Sequence, residues 1–319
     1  MYKINLNKIS KKYLKSLGFK KNYKFNFRSC EVCNSKNNKI IQKKISIGNE
    51  KFLDFPIVVC KKCGFVFQAI KYEKKFYKDF YGRQYRQNIY KDIKPSSGFV
   101  RRQKIRAKNL YNFLNSNFKL KKGGSILDVG CSVGEFLRPF MQNGWTCFGN
   151  DPDKSFVEYG KKYLKLPIKY EMAEDMNLNS KFDLTIIIGS LEHCYDPNKV
   201  LKKIYNNSNK KALILISARG IPRSSKKIYF NHNHHRYFSF NSMDLILMKH
   251  GFKPIFSTIF PITGDVAERK NELFCIAVKE PNYLGKLKKF INFGKIETYK
   301  TIDFFYKNFE NKKSKKYIF

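Results

Sequence analysis

Ile126-Leu127-Asp128-Val129-Gly130-Cys131-Ser132-Val133-Gly134-Glu135-Phe136-Leu137 is the stretch that decides the fold. An apolar run suited to a buried strand enters a turn of small residues and leaves it as a helix. Small residues let backbone approach a ligand without a Cβ in the way. In open α/β sheets, ligands sit outside the carboxyl ends of the strands. A dinucleotide fingerprint needs Gly-x-Gly-x-x-Gly, and the spacing here is Gly-x-Ser-x-Gly, so that reading fails. The same five residues fit the nucleophile elbow of α/β hydrolases. That fold places several strands ahead of the elbow, whereas here a Cys-rich module and basic helices precede it, and Asp128 would have no role.

Working outward, apolar strands alternate with helical segments. Strands are predicted at residues 125–129, 146–150, 168–170, 183–188, 212–217, 252–260 and 271–278, and helices at 135–142, 155–164, 197–205 and 239–250. This alternation predicts a doubly wound, mainly parallel seven-stranded α/β sheet, closed by an antiparallel hairpin because no helix separates the last two strands. About twenty residues beyond the glycine turn, the second strand ends in Cys147-Phe148-Gly149-Asn150-Asp151-Pro152, where an acid can accept hydrogen bonds from both ribose hydroxyls of a nucleoside.

The pattern Asp-x-Gly-x-(Gly/Ser)-x-Gly with its second acid resembles the first motifs of class I S-adenosylmethionine-dependent methyltransferases, Ser132 replacing the middle glycine. The resemblance implies that Asp151, with Pro152 in the same turn, holds the ribose of S-adenosylmethionine. It implies that Asp128 and the backbone of Gly130, Cys131, Ser132 and Gly134 contact the methionine part. Ala173-Glu174-Asp175-Met176 matches the adenine-reading segment, although Met172 stands where the family often has Asp. Gly189-Ser190-Leu191-Glu192-His193-Cys194-Tyr195-Asp196-Pro197 resembles the Leu-Glu-His…Asp-Pro segment of small-molecule methyltransferases, which puts Leu191 and His193 on the cleft. The (Asn/Asp/Ser)-Pro-Pro-(Tyr/Phe) segment of amino-methylating enzymes on nucleic acid is not there.

Cys30-Glu31-Val32-Cys33 and Cys60-Lys61-Lys62-Cys63 are two short knuckles. Four thiolates satisfy a tetrahedral Zn²⁺, each pair spanning one edge. A thioredoxin-type reading needs only one pair and a βαβ context. A closed, structural zinc is expected, supplying much of the folding free energy of a small zinc-ribbon-like module. The expected organisation is a basic segment and four-cysteine module at residues 1–68, a helical linker at 69–122, the methyltransferase domain at 123–280 and a basic amphipathic tail at 281–319. Module and domain in this order resemble bacterial deoxysugar C-methyltransferases and related polysaccharide-cluster enzymes, as does the Tyr-rich link Phe80-Tyr81-Gly82-Arg83-Gln84-Tyr85-Arg86.

Asn231-His232-Asn233-His234-His235-Arg236-Tyr237-Phe238-Ser239 carries three of the chain's 5 histidines. Imidazole is the natural general base near neutral pH. The run resembles the His-x-His-x-x-Tyr-Phe-Ser loop at the catalytic site of the sugar enzymes. Asn233 replaces their Glu, and residues 279–319 stand where they carry a large domain, so O-methylation is as well founded as C-methylation. His232 or His234 is expected as the base, with His193 lining the same crevice.

The chain has 64 Lys and Arg against 25 Asp and Glu, a net charge of +39. Such charge attracts anionic partners. Yet the excess is mostly Lys and spread along the chain, as an A/T-rich genome would produce, while Arg is the usual reader of phosphate. The expected acceptor is a small molecule, a nucleotide-linked sugar or a glycan. Nucleic acid is not the expected partner, and an RNA methyltransferase is the alternative. A cofactor-binding scaffold without catalysis is a third reading. No export signal or membrane span is read, and the free thiols suit a reducing cytoplasm. The tail is suited to packing or to peripheral contact with a membrane. Oligomeric state is not legible.

Overall fold

The computed structural model describes residues 8–16, 25–47, 52–86, 94–221, 230–264 and 272–286. Seven strands form the central sheet: β1 (Ser125–Val129), β2 (Thr146–Asp151), β3 (Ile168–Tyr170), β4 (Phe182–Ile188), β5 (Ser208–Arg219), β6 (Phe252–Thr258) and β7 (Glu272–Lys279). Their spatial order is β3-β2-β1-β4-β5-β7-β6. The first five run parallel, and β7 is antiparallel to both β5 and β6. The doubly wound reading and the terminal hairpin therefore hold. The order reverses between β1 and β4, and the two carboxyl ends there open the crevice that such a switch point provides.

Local chemistry sets the helix starts on this edge. Asp153 caps helix Lys154–Leu164, its Oδ1 accepting from the Ser155 and Phe156 amides at 3.1 and 3.3 Å. Asp196 caps helix Pro197–Asn206 through the Lys199 amide at 3.0 Å, and Pro197 needs no amide partner in the first turn. Gly160 lets the helix after β2 lie on the glycine turn, since a Cβ there would stand 2.4 Å from the Val133 carbonyl oxygen. The expected helix at 135–142 is divided into a 3₁₀ turn, Glu135–Leu137, and a short helix, Arg138–Gln142, with Pro139 in its first turn.

The cysteine module has a four-stranded antiparallel sheet, in the order Arg236–Tyr237, Val66–Gln68, Ile57–Cys60, Asn38–Gln42. The edge strand Arg236–Tyr237 comes from the histidine run, far along the chain, so the module and the sheet domain share a hydrogen-bonded element. Sequence periodicity gives no hint of this, because two residues are too few to show a pattern. The module's own core is aromatic, with Phe55, Tyr72, Phe76, Tyr77 and Phe80 all buried. Among the described residues, no helix is long and apolar enough to cross a membrane. The tail from residue 287 on lies outside the described residues.

Candidate active site and cysteine centre

The glycine turn after β1 floors a cleft of about 320 Å³. Gly130, Ser132 and Gly134 all have positive φ, at 75°, 56° and 82°. A side chain at Gly130 would collide with Ser190, 2.2 Å from its Oγ. Ser132 holds the left-handed conformation that a glycine would adopt more cheaply, and its amide is used: it donates to Asp151 Oδ2 at 2.8 Å. The Asp153 amide donates to Asp151 Oδ1 at 2.8 Å, so the carboxylate is aimed by backbone from both sides. Burial raises the Asp151 pKa against the opposing pull of Arg86 and these amides. Asp128 is 1% exposed, and burial followed by the charge of Asp151 pushes its carboxyl well above the usual range.

Three buried oxygens of this cleft accept no hydrogen bond among the described residues: Asp128 Oδ2, Asn150 Oδ1 and Glu174 Oε2. Ionised carboxylates and the amide oxygen accept only, so these three positions call for donors from a ligand, while Arg86, Arg102 and Arg106 line the same cleft. S-adenosylmethionine brings an ammonium, two ribose hydroxyls, an adenine amino group and a sulfonium, and the residues present fit that group. Gly130, Cys131, Ser132, Asp151, Pro152, Ala173 and Glu174 line the cleft as expected. Leu191, expected on the cleft, is instead wholly buried in the core and does not line it, and Gly134 contributes conformation rather than surface. Glu174 is also structural, its Oε1 accepting from the Asp196 amide at 2.9 Å.

Arg86, noticed in the sequence only as part of the Tyr-rich link, donates to Ser132 Oγ at 2.9 Å and pairs with Asp153 at 3.3 Å. It lies 3.8 Å over the Phe156 ring. The link thus presses onto the cofactor turn. No periodic or spacing signal marks it, because its contacts are all long-range.

At the far end of the cleft, His193 Nδ1 is 2.8 Å from the Asn233 carbonyl oxygen. A carbonyl can only accept, so Nδ1 carries the proton and Nε2 the lone pair. Tyr81 donates to the same carbonyl at 3.1 Å. The His234 ring lies with its centroid 4.9 Å from that of His193. His232 is not brought to the cleft. It is buried in the module's aromatic core, with Nε2 2.7 Å from the Tyr72 hydroxyl, and burial lowers its pKa to about 3. A turn at His232–Asn233 explains the split: in an extended run residues two apart would share a face, but here the chain turns and Gln68 holds the carbonyls of Asn231, His232 and His234 through one amide group. His235 is buried on the module side as well.

The sulfurs of Cys30, Cys33, Cys60 and Cys63 lie within 4.8 Å of one another. Cys30–Cys63 and Cys33–Cys60 are 3.4 and 3.5 Å apart. Four thiolates about 2.3 Å from a tetrahedral zinc would be about 3.8 Å apart, so the donor set and its spacing fit the ion. The two knuckles repeat one backbone pattern. Asn34 and Gly64 follow the second cysteine of each pair at φ 59° and 74° and donate to the carbonyls of Cys30 and Cys60 at 2.7 and 2.9 Å. Cys30 and Cys60 in turn donate to the carbonyls of Ser35 and Phe65, both at 2.9 Å.

Glu31, inside the first knuckle, ties the centre to the cleft. Its carboxylate takes both an Nε and an Nη2 bond from Arg236, at 2.5 and 2.7 Å, and one from Arg28 at 3.1 Å. Arg236 is wholly buried and also donates to the carbonyls of Glu192 and Cys194, at 3.1 and 2.6 Å, on either side of His193. Sequence reading passed over both residues, because each looks like an ordinary surface charge beside a motif.

Residues 100–255 match the family described as a methyltransferase domain. A tRNA U34 carboxymethyltransferase from Campylobacter fetus subsp. fetus is 30% identical over 129 residues, 38% of this chain and 44% of that protein. A ubiquinone biosynthesis O-methyltransferase from Nitrobacter winogradskyi is 29% identical over 79 residues, 23% of this chain and 30% of the relative. The chain thus spans less than half the length of these curated relatives. Among solved structures, an S-adenosylmethionine-dependent methyltransferase from Clostridium acetobutylicum is similar at a TM-score of 0.46 and 11% identity, over 61% of this chain and 96% of that one. The glycine turn, its paired acids and the family match together give the chain a class I S-adenosylmethionine-dependent methyltransferase domain.

Proposed function

We propose that the chain transfers the methyl group of S-adenosylmethionine to an oxygen nucleophile of an RNA, held at the end of the cleft where His193 and His234 meet. The observation that carries the transfer is the set of orphaned acceptors on Asp128, Asn150 and Glu174, which a cationic, donor-rich cofactor completes. The acceptor's oxygen attacks the methyl carbon, the carbon–sulfur bond breaks with its electrons on sulfur, and the acceptor's proton is lost at the imidazole end. His193 and His234 are the residues through which this end acts on the acceptor.

RNA as the acceptor class is supported by the curated relatives, several of which are tRNA U34 carboxymethyltransferases. A net charge of +39 gives such a polyanion a strong electrostatic encounter. The chain's sequence alone favours a sugar and sets nucleic acid aside; the relatives reverse that order. A saccharide acceptor is the second reading, favoured by one observation. Arg236–Tyr237 of the histidine run is an edge strand of the cysteine module's sheet, and Tyr81 of the Tyr-rich link lies 3.1 Å from His193, so the three segments on which the sugar-enzyme resemblance rests are in contact with one another or with His193.

The test is transfer of labelled methyl from the cofactor to total RNA and, in parallel, to a panel of nucleotide sugars. Label in a defined RNA position at physiological salt is the expected result. Label only in a sugar would establish the second reading instead, and label in neither, from folded protein that binds cofactor, would contradict both.

A further inference from the structure

Among the described residues, two groups of His, Cys, Asp or Glu side chains bring their ligand atoms within 4.8 Å of one another. One is the cysteine centre. The other is Glu192, His193 and His234, at the acceptor end of the cleft. We propose that these three side chains form a second metal site, for one divalent first-row cation of the Zn²⁺, Co²⁺, Mn²⁺ or Fe²⁺ class.

Each ligand has its other polar atom already held. His193 Nδ1 donates to the Asn233 carbonyl at 2.8 Å, and His234 Nδ1 lies 2.7 Å from Asn231 Oδ1. Both contacts put the proton on Nδ1 and the lone pair on Nε2, the arrangement of metal-binding histidines whose second nitrogen is anchored by an oxygen. Glu192 Oε1 accepts from the Arg219 amide at 2.9 Å, while Oε2 is buried and accepts nothing among the described residues. Glu192 as a residue is 3% exposed. The cluster therefore brings two half-buried imidazoles and one buried carboxylate together with their ligand atoms within 4.8 Å of one another.

Ligand type selects the ion. Two imidazoles and one carboxylate suit transition metals and zinc, whereas Mg²⁺ and Ca²⁺ prefer oxygen ligands throughout. Ligands about 2.1 Å from a tetrahedral ion are about 3.4 Å apart, so side-chain shifts of about an ångström close the set. Three protein ligands leave a coordination position open. His193 lines the cofactor cleft, so an acceptor can reach the ion there. This role rests on the reading of that end as the acceptor's. An acceptor hydroxyl bound to the cation would lose its proton to water, and its oxygen would then attack the methyl group. The histidines would act as ligands, in place of the general base expected from the sequence.

The test is metal stoichiometry and ligand chemistry, which need no acceptor. Metal-free protein is titrated with Co²⁺ and followed by absorption, with Glu192→Gln and, separately, His234→Gln alongside. Wild type should take two Co²⁺ per chain. One should show the intense sulfur-to-metal charge-transfer bands of a thiolate centre, and the other only the weak d–d bands of nitrogen and oxygen ligands. Each variant should lose the second ion and keep the first, with cofactor affinity within about threefold of wild type as the sign of an intact fold. A single, thiolate-bound Co²⁺ in wild type overturns the proposal whether or not the variants fold, as does retention of two ions by both variants. Methyl transfer by a chain holding only the thiolate-bound ion would sink the second site and leave the proposed function standing.

Discussion

Arg236 grips Glu31 through two parallel bonds, Nε to Oε2 at 2.5 Å and Nη2 to Oε1 at 2.7 Å, with the guanidinium wholly buried. Glu31 belongs to a cysteine knuckle and Arg236 to the histidine run, so this pair fixes the module on the domain. Removing one partner leaves the other's charge buried and uncompensated, which costs about 3–5 kcal/mol. Arg236→Met should therefore lower the urea midpoint sharply, and Glu31→Gln should do so nearly as much. A midpoint within experimental error of wild type for either would contradict the account.

The same pair predicts acid sensitivity. Burial opposes the charged form of Glu31, but Arg236 and Arg28 outweigh it and hold the carboxyl at about 2, below the ordinary 4.5. A depressed carboxylate stabilises the fold fully above the unfolded pKa and loses that contribution as pH falls toward the folded one. About 3 kcal/mol should thus disappear between about pH 4.5 and 2. Denaturation followed across that window should show a smaller loss in Glu31→Gln.

Cofactor binding should weaken on acidification. The Asp128 carboxyl is raised well above its usual range by burial and by Asp151. A cationic ligand favours the ionised form, so affinity for S-adenosylmethionine should fall as pH drops through that raised value. Asp128→Asn should bind more weakly and lose the pH dependence. Calorimetric affinities that do not change with pH in wild type would contradict this.

His193→Ala should lower turnover by about 10²–10⁴-fold while leaving cofactor affinity intact, the magnitude usual for a group that manages a transferred proton. His232→Phe, in the aromatic core, should change stability rather than turnover per folded molecule. Equal turnover losses in the two variants, at equal folded fractions, would show that the cleft end has been misassigned.

One zinc per chain is predicted at Cys30, Cys33, Cys60 and Cys63. Chelation should unfold the module, and Cys63→Ser should lower metal content with it. Elemental analysis that finds no zinc in purified protein would remove this centre from the account.

Much of the fold is legible because its signals are local. The central strand Phe182–Ile188 and the strand beside the edge, Glu272–Lys279, are largely apolar runs, and the helix starts carry their own caps in Asp153 and Asp196. The cofactor side is legible for the same reason, since Asp128, Gly130 and Asp151 fall at strand ends. What sequence spacing misreads is sidedness. His232 and His234 are two residues apart, yet one is buried in a core and the other packs beside His193, and the loop between them is held by Gln68, more than a hundred positions away. Arg86, Glu31 and Arg236 escape notice because their partners are brought to them only by the assembled fold.

The most direct test is titration calorimetry of S-adenosylmethionine and its demethylated product into wild type and Asp151→Ala. The account predicts one site per chain for each ligand and, in the variant, a loss of about 2 kcal/mol as two ribose hydroxyls lose their acceptor. No heat of binding from either ligand with folded wild-type protein, or unchanged affinity in Asp151→Ala, would contradict it.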